Sequence, residues 1–436
     1  MDFSGKNIAV LDTIHGARQI CKTLREVGAD AVAINIYHDT PPPTTIDSFD
    51  AVIAPVHAYS VLKARAEASG IPVLTHHQAV GQLARQIGAF QDALIFEVTG
   101  VKGKTTTASL LELAFSDRKV LSLTSRGLEI HKNGACVAKK RLSITPANIL
   151  AAADVARELD FEPQVCIFEV SLGGTGLADV NVITTLSPEY SIARETSTST
   201  AAKLQMLSNA KAGSCVVTPG IAASFADSCQ CLNTFGEEGA TVRYEDLDTD
   251  KVTIAFNDLS QINGQRLSGQ IQFKPAGGYD LTSYEDTLLC FVTTALSAKL
   301  DPETIAHKLS IFKGVIGRMS SAVIENRVLI DNSNSGLDPT SVERAIRYGV
   351  ALKEPGQKVV LIIGAETKAV CEGIDVEIFE TLSRDSVLDA VVIVGDQMWA
   401  SRTNVLAADD LESALLTAIT LTKERDVIIS CVKVWR

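Results

Sequence analysis

The sequence is poor in aromatic residues and contains no recognisable cysteine motif. Aromatic side chains make up 5% of its 436 residues, and its nine cysteines include no Cys-x-x-Cys pair. The closest two, Cys229 and Cys231, lack the second half of a zinc signature. These features exclude a zinc module and a disulfide-stapled secreted domain, and a reduced cytoplasmic interior fits the cysteines best.

Long apolar runs and an excess of basic residues are also missing. No stretch of about 18 apolar residues occurs, and the N-terminal MDFSGKNIAV lacks the basic flank and apolar core of a signal peptide. Lys and Arg total 40 against 52 Asp and Glu, which gives a net charge of −12. We therefore expect a cytoplasmic protein that binds neither membrane nor nucleic acid. The oligomeric state is not legible from the sequence.

Short apolar strands alternate with helical segments along the whole chain. The length predicts about three domains, and the strand and helix pattern restarts near residue 93 and again near residue 301. We expect an α/β fold with three successive units. These are a small Rossmann-like substrate domain over 1–90, a central P-loop domain over 91–300 and an α/β C-terminal domain over 301–436.

The most specific motif is TGVKGKTT at 99–106, between a predicted strand over 93–98 and a predicted helix over 104–115. Glycines let backbone N–H groups face phosphate oxygens, while a lysine and a threonine at these positions suit the β/γ-phosphates and Mg²⁺. Val98 replaces the first glycine of the longer P-loop motif. The predicted nucleotide-binding residues are Gly100, Val101, Lys102, Gly103, Lys104, Thr105 and Thr106.

A second candidate is Glu169, at the end of a predicted strand over 164–170. The carboxyl ends of parallel strands face the ligand crevice, so a carboxylate there can hold Mg²⁺ from the other side. An exposed strand-end glutamate without a metal is the alternative. No NKxD-type guanine reader follows the P-loop, which disfavours a GTP switch.

The chain resembles the Mur ligases along essentially its whole length. The resemblance rests on GKTT, Glu169-Val170-Ser171, AAKLQML at 201–207, and Gly317-Arg318 followed by VLIDNSN at 328–334. It implies a three-domain Mur ligase-like architecture with ATP bound on the central domain. It also implies transfer of the γ-phosphoryl group to a substrate carboxylate, followed by attack of a nucleophile on the acyl phosphate.

The resemblance assigns roles to individual residues. The implied catalytic residues are Lys104, Glu169 and Lys203, and the implied metal ligands are Thr105, Glu169 and Glu189. Lys203 matches a lysine that Mur ligases carry as a carbamate, and an ordinary helix-surface lysine is the alternative. Glu189 stands where the family usually has a histidine ligand. Arg318 and Asp331 match residues through which the C-terminal domain contacts the nucleotide.

The first domain points to an unusual substrate. Its first turn, Asp12-Thr13-Ile14-His15-Gly16, has β-branched residues where binding of a nucleotide-sugar diphosphate needs glycine. This stretch resembles the branch of the family that closes the carbocyclic ring of the nickel tetrapyrrole coenzyme F-430. In that branch ATP activates a propionate as an acyl phosphate, a ring carbon attacks it, and the substrate itself carries the nickel.

Several polar residues are candidates for contact with such a substrate. The predicted substrate-binding residues are His15, Gly16, Arg126, Thr145 and Arg194. A purely structural role for His15 is the alternative. The pair His76-His77 suggests nickel binding, but adjacent residues at a strand end point in opposite directions. The basic cluster Lys132, Lys139, Lys140 and Arg141 predicts either a carboxylate-binding loop or a solvated hairpin.

Three functions remain open from the sequence. The first is an ATP-dependent cyclo-ligase that acts on the nickel tetrapyrrole and releases ADP and phosphate. The second is an amide-forming ligase of the Mur type that joins an amino acid to a small acid. The third is a non-enzymatic P-loop switch or assembly factor. The expected cofactors are ATP and Mg²⁺, and the expected partner is a small-molecule substrate.

Overall fold

The structure is a computed structural model that describes residues 1–37, 46–57, 59–225, 229, 231–366, 387–395 and 405–434. The chain divides into two compact units. One unit contains Met1–Phe273 and Asp286–Lys308, and the other contains Lys274–Glu285 and Leu309–Arg436. The finer division at residues 90 and 300 stays a prediction. No helix in the described ranges is long and apolar enough to cross a membrane.

The first unit contains most of the strands. They are β1 (Asn7–Leu11), β2 (Asp30–Ile34), β3 (Ala51–Ala54), β4 (Val73–Thr75), β5 (Leu94–Thr99), β6 (Val120–Thr124), β7 (Gly127–Lys132), β8 (Ala135–Lys140), β9 (Val165–Glu169), β10 (Val180–Ile183), β11 (Ser191–Ile192), β12 (Ser197–Thr198), β13 (Cys215–Pro219), β14 (Leu232–Phe235), β15 (Val242–Leu247), β16 (Val252–Ser260) and β17 (Arg266–Phe273). Its helices are α1 (Ala17–Glu26), α2 (Val61–Ala68), α3 (His76–Gln86), α4 (Lys104–Ala114), α5 (Ala147–Glu158) and α6 (Ser199–Asn209). Short 3-10 helices span Ile46–Ser48 and Gly220–Phe225.

Helices α7 (Leu281–Ser297) and α8 (Pro302–Ile311) contain residues of both units. The strands of the second unit are β18 (Ser320–Ile324), β19 (Arg327–Asp331), β20 (Val359–Ala365), β21 (Ala390–Val394), β22 (Val405–Ala408) and β23 (Val427–Lys433). Its other helices are α9 (Pro339–Leu352) and α10 (Leu411–Leu421). The predicted α/β class is confirmed, and the predicted elements agree with these to within a few residues.

Two main sheets build the described part of the first unit, beside the two-stranded antiparallel sheet of β11 and β12. The smaller has the order β2-β1-β3-β4, and all of its strands are parallel. The larger has eleven strands in the order β17-β16-β15-β14-β13-β10-β5-β9-β6-β7-β8. A single core cluster includes Ile8 of β1, Leu83 of α3, Leu150 of α5 and Phe168 of β9. Apolar packing is therefore continuous between the two sheets.

The register of the larger sheet brings three strand ends together. Strand β5 lies between β9 and β10 and runs parallel to both. Val98 is opposite Glu169, and Thr99 is opposite Ile183. The loop that follows Thr99 therefore leaves the sheet beside the carboxyl end of β9.

The described residues of the second unit form one sheet of six strands in the order β18-β19-β23-β20-β21-β22. Only the β18–β19 pair among its described strands is antiparallel. Helix α10 places Ala414 in a core cluster with Ile362 and Ile428. The central β20–β23 pair is apolar and buried along nearly its whole length, as expected of parallel strands covered on both faces.

The expectation of fully reduced cysteines is wrong for one pair. Cys215 in β13 and Cys231, directly before β14, form a disulfide with Cα atoms 4.7 Å apart. Strands β13 and β14 are parallel neighbours, and their pairing brings together two residues that are 16 apart in sequence. Spacing along the chain does not reveal a pair created by strand pairing.

Helix α3 packs so closely against the backbone at Thr175 that Gly81 has no room for a side chain. A Cβ atom on Gly81 would lie 2.0 Å from the carbonyl oxygen of Thr175. Although alanine has the higher helix propensity, we expect Gly81→Ala to lower the free energy of unfolding by about 1–3 kcal/mol through overpacking. Chemical denaturation measures this change.

The matched control is Gly220→Ala. The nearest atom to a Cβ at Gly220 is the carbonyl oxygen of Phe235 at 3.9 Å, which is an ordinary contact. This variant is expected to have the same free energy of unfolding as the parent protein. Equal stability of Gly81→Ala and Gly220→Ala would contradict the close approach.

Candidate active site

The P-loop has a backbone that only glycine adopts easily at two positions. Gly100 has a φ of 144° and Gly103 a φ of 82°. A Cβ on Gly100 would lie 2.0 Å from Thr184 Oγ1, and one on Gly103 would lie 3.2 Å from Thr287 Oγ1. The amide of Val101 donates to the carbonyl oxygen of Thr185 over 3.0 Å, so the loop is anchored to the end of β10. Helix α4 begins at Lys104, and its N-terminal N–H groups form the anion-binding end that phosphates favour.

Lys104, Thr105 and Glu169 converge at the carboxyl ends of β5 and β9. The hydroxyl of Thr105 donates to Glu169 Oε2 over 3.0 Å, and Lys104 Nζ lies 3.9 Å from Glu169 Oε1. Ser125, after β6, adds its hydroxyl 3.0 Å from that of Thr105 and donates its amide to Glu169 Oε2 over 3.0 Å. Glu169 is 2% exposed, so the alternative of a surface glutamate is wrong.

This arrangement suits a hard divalent cation and a phosphate chain. Two hydroxyl oxygens and one buried carboxylate are the ligand types that Mg²⁺ prefers. The ammonium group of Lys104 donates to the carbonyl oxygens of Gly100 and Val101 over 3.0 and 3.4 Å, so it stays beside the loop. These donor groups therefore fit a magnesium ion and a nucleoside triphosphate bound together.

Lys203 lies in the interior of the protein, not on a helix surface. It projects from α6, is 1% exposed, and donates to the carbonyl oxygen of Ser199 over 3.2 Å. Its Nζ also lies 4.9 Å from the centre of the Tyr190 ring. Burial, with a further contribution from the charge of Lys104, lowers the pKa of Lys203 to about 8. A neutral amine is therefore accessible near neutral pH, and carbamate formation requires that form.

Glu189 is close enough to Lys203 for the charges of the two side chains to interact. Its side chain is exposed and accepts hydrogen bonds from Thr200 and Thr198, which lower its pKa. The charge of Lys203 lowers that pKa further. An ionised carboxylate is thus present at the position where the sequence predicts a metal ligand, and that role stays a prediction.

A cavity of about 210 Å³ is lined by two of the predicted substrate-binding residues, His15 and Thr145. It is lined by His15, Pro55, Val56, His57, His76, His77, Thr145, Pro146, Ser171 and Leu172. Gly16 lies behind it, where a Cβ would be 2.3 Å from the Cβ of Ala147 and 3.9 Å from Thr145 Oγ1. The cavity thus collects residues from the β1–α1 turn, the start of α3 and the segment before α5.

His76 and His77 are the first residues of α3, not the end of a strand as expected. The side chain of Thr75 caps this helix by accepting from the amide of Gln78 over 3.1 Å. His76 Nε2 pairs with the carbonyl oxygen of Leu11 and His77 Nε2 with that of Ser171, at 2.9 and 2.8 Å. Burial lowers both pKa values to about 4. The two imidazoles are neutral and contact different carbonyl groups, so they do not form a chelating pair.

The two predicted arginine clamps have different surroundings. Arg126 is held by Glu112 at 2.6 Å and Glu129 at 2.9 Å, so two carboxylates already neutralise it. Arg194 is exposed, and its guanidinium lies 5.8 Å from the centre of the Tyr59 ring. Neither arginine lines the cavity, although the amide of Ala193, next to Arg194, donates to the carbonyl oxygen of the cavity residue His57 over 3.0 Å. Contact of the two arginines with substrate stays a prediction.

The basic cluster lies on the β7–β8 hairpin and the residues that follow it. Lys132, Lys139, Lys140 and Arg141 are all exposed, and Lys139 pairs with Glu129 at 2.9 Å. This geometry favours the solvated hairpin of the two alternatives.

Arg318 and Asp331 lie in the second unit. The guanidinium of Arg318 donates to Asn334 Oδ1 over 3.0 Å, and Asp331 at the end of β19 accepts the amide of Ser333 over 3.0 Å. The Asn334 amide in turn donates to the carbonyl oxygen of Gly317 over 2.9 Å. The family motif GR…DNSN is therefore one connected cluster. Its contact with the nucleotide stays a prediction.

Two polar groups in the first unit, Ser125 and Glu97, lie outside the set of residues predicted from the sequence. Ser125 follows β6 at the same sheet edge as Glu169, so the strand-end rule that found Glu169 also finds Ser125. Glu97 in β5 is buried, which raises its pKa, and it accepts the amides of Thr175 and Gly176 at 2.9 and 3.2 Å. No sequence signal identifies Glu97, because its partners are about 80 residues away.

Comparison with known proteins places this site in a family. The family described as "Coenzyme F430 synthetase CfbE, C-terminal domain" matches residues 322–434. The coenzyme F(430) synthetase of Methanosarcina acetivorans is 33% identical over 484 aligned positions, which cover 100% of each chain.

Solved structures extend the likeness to the whole fold. MurF from Acinetobacter baumannii has a TM-score of 0.59 at 18% identity and covers 97% of this chain and 96% of its own. A bifunctional folylpolyglutamate synthase/dihydrofolate synthase with Mn, AMPPNP and L-glutamate bound has a TM-score of 0.57 at 17% identity, with 80% and 89% covered. At these identities the likeness concerns the fold alone. Together with the full-length relative, it shows that the chain belongs to the coenzyme F430 synthetase family, ATP-dependent ligases built on the Mur ligase fold.

Proposed function

We propose that this protein is an ATP-dependent cyclo-ligase that closes the carbocyclic ring of a nickel seco-tetrapyrrole to give coenzyme F-430. Family membership supports the product, because the full-length relative is named for its synthesis. The convergence of Lys104, Thr105 and Glu169 at one sheet edge is the observation that carries the proposed chemistry. That convergence supports phosphoryl transfer from ATP to a carboxylate.

The nucleotide end of the reaction rests on the P-loop. The backbone N–H groups of residues 100–106 and the ammonium of Lys104 bind the triphosphate, while Thr105 and Glu169 hold Mg²⁺. A bound Mg²⁺ neutralises charge that develops on the phosphate oxygens during transfer. The folylpolyglutamate synthase structure with AMPPNP and Mn supports nucleotide and divalent metal use in this fold.

Two steps account for ring closure. A propionate oxygen of the substrate attacks the γ-phosphorus, which forms an acyl phosphate and releases ADP. A ring carbon that has lost its proton then attacks the acyl carbon, so a carbon–carbon bond forms and phosphate leaves. Activation is needed because a free carboxylate is a poor acyl donor. Exclusion of water from the acyl phosphate protects it from hydrolysis.

The substrate end is the cavity that includes His15 and Thr145. We propose that one edge of the tetrapyrrole, with its peripheral carboxylates, is bound there, because about 210 Å³ is too small for the whole macrocycle, and that the substrate brings its own nickel. The first turn has no glycine-rich diphosphate cradle, and the cavity carries neutral imidazoles, hydroxyls and apolar walls instead. A macrocycle with peripheral carboxylates requires that mixture of apolar surface and hydrogen-bonding groups.

The proposal predicts which acid triggers ATP hydrolysis. Phosphate release from ATP should require the nickel seco-acid and should proceed without any amine, with ADP formed in equal amount. A phosphate-release assay measures this dependence, and mass spectrometry of the macrocycle detects the loss of one water. Turnover that needs an amino acid and ignores the seco-acid would instead establish an amide ligase. Nucleotide binding with neither product would establish a P-loop switch.

The role of the P-loop lysine predicts a large loss of rate. Lys104→Ala removes the ammonium that faces the phosphates, so phosphate release should fall about 100- to 1,000-fold while the fold is kept. Lys251→Ala, at an exposed lysine before β16, is the matched control and should retain full activity. Near-normal turnover of Lys104→Ala would refute the nucleotide assignment.

The buried position of Lys203 predicts chemical rescue. We propose that its amine, with a pKa of about 8, reacts with carbon dioxide and that the carbamate oxygens help to hold a second Mg²⁺. Lys203→Ala should then be inactive, and added formate or acetate should restore part of the rate. Lys104→Ala serves as the control because the same carboxylates should not restore it. Full activity of unsupplemented Lys203→Ala would exclude the carbamate.

A further inference from the structure

Three of the parallel strands in the smaller sheet end in a cluster of polar side chains. Asp12 follows β1, Tyr37 comes shortly after β2, and His57 comes shortly after β3. His15 joins them from the turn that leads into α1. Because β2, β1 and β3 are neighbours in this order, their carboxyl ends lie side by side.

The atoms of this cluster are close to one another around a common centre. His15 Nδ1 lies 2.9 Å from Asp12 Oδ2 and 3.2 Å from the hydroxyl oxygen of Tyr37. His57 Nε2 lies 3.6 Å from the same Asp12 oxygen and 3.1 Å from the same hydroxyl. Two nitrogens and two oxygens therefore surround one small space.

These separations can be compared with four of the six edges of a tetrahedral coordination shell. Metal–nitrogen and metal–oxygen bonds of about 2.0–2.2 Å place neighbouring ligands of a tetrahedron about 3.3–3.6 Å apart. The four separations in the cluster run from 2.9 to 3.6 Å. On these four edges, an ion at the centre requires the shortest separation to open by roughly 0.4–0.7 Å.

The carboxylate is fixed in place by its own backbone. Asp12 Oδ1 accepts the amides of Ile14 and His15 over 2.8 and 3.0 Å, which leaves Oδ2 for the cluster. The side chain is fully buried, and the residue has a φ of 83° in the left-handed region. Non-glycine residues in that region are associated with functional sites, where the surrounding structure maintains the strain.

A second group of one histidine and two carboxylates in the described part of the chain differs from this cluster because it already contains a cation. Glu112, Glu129 and His131 also lie within reach of one another. The guanidinium of Arg126 occupies that group, with contacts of 2.6 and 2.9 Å to the two glutamates. A resident cation already balances those carboxylates, so a metal ion has no electrostatic reason to bind there.

We propose that Asp12, His15 and His57 bind a divalent first-row transition ion of the Zn²⁺ class, with the Tyr37 hydroxyl as the fourth donor. Imidazole nitrogens with one carboxylate favour such ions over Mg²⁺, which prefers oxygen ligands alone. The site is distinct from the nickel of the proposed substrate and does not depend on the proposed reaction. Both histidines line the cavity and are 41% and 30% exposed, so an ion can reach them from solvent.

Equilibrium dialysis of the full chain tests the site with Zn²⁺ alone. The protein is first treated with a chelator, then dialysed against Zn²⁺ with excess Mg²⁺, and bound zinc is measured by mass spectrometry. One zinc per chain is expected for the parent protein. Bound Co²⁺ should in addition give the strong visible absorption of a tetrahedral site.

Single substitutions distinguish the proposed metal ligands from histidines that do not contact the ion. His15→Ala and His57→Ala should each lose zinc affinity by more than the roughly 10- to 100-fold that follows loss of an outer partner. Asp12→Asn keeps an oxygen for the two backbone amides but removes the charge, and it should weaken binding likewise. His131→Ala and the exposed His307→Ala are matched controls that should bind zinc as the parent does. Circular dichroism checks that each variant is folded.

Absence of zinc from the parent protein would overturn the proposal. Equal binding by the parent, His15→Ala and His57→Ala would do so as well, since the ion would then sit elsewhere. Because these measurements use neither ATP nor tetrapyrrole, they do not depend on whether the proposed ligase reaction is correct.

Discussion

The parallel pairing of β5 with β9 and β10 is the constraint on which the candidate active site depends. It places the end of β5 beside the ends of β9 and β10, so Glu169 lies next to the loop that follows Thr99. Phosphate-binding amides, a lysine and a metal-binding carboxylate are thereby concentrated at one edge. The same geometry recurs in the smaller sheet, where the ends of β1, β2 and β3 collect Asp12, Tyr37 and His57. The direction of the strands thus determines where these polar side chains of the first unit come together.

Burial shifts the pKa values of ionisable side chains near these sheet edges. Lys203 is a primary amine that burial makes more acidic, to a pKa of about 8, and the charge of Lys104 acts in the same direction. His77 is neutral because desolvation disfavours its charged form, which lowers its pKa to about 4. Packing of α3 and α6 therefore decides which groups carry charge beside the cavity and the P-loop. Such tuned groups are typical of functional sites.

Prediction from the sequence succeeded where local patterns are strong. GKTT between an apolar strand and a helix predicted the P-loop, and Glu169 followed from the strand-end rule. It failed where a contact depends on pairing between distant segments. The Cys215–Cys231 disulfide arises from the β13–β14 pairing, and Lys203 is buried because α6 packs against the interior, which a charged residue type does not indicate. The apolar run that precedes His76-His77 predicts a strand end there, whereas the capping box of Thr75 and Gln78 starts a helix at His76.

By itself the sequence determined the α/β class, the P-loop and the likeness to the Mur ligases, because these depend on periodicity and on contiguous motifs. Tertiary structure decided which of the predicted residues share a space. It brought His15 and Thr145 to one cavity, and it paired Arg126 with two glutamates. The physical reason is that distances between residues far apart in the chain are set by sheet register and helix packing. Those are collective properties of the folded chain, and no short segment encodes them.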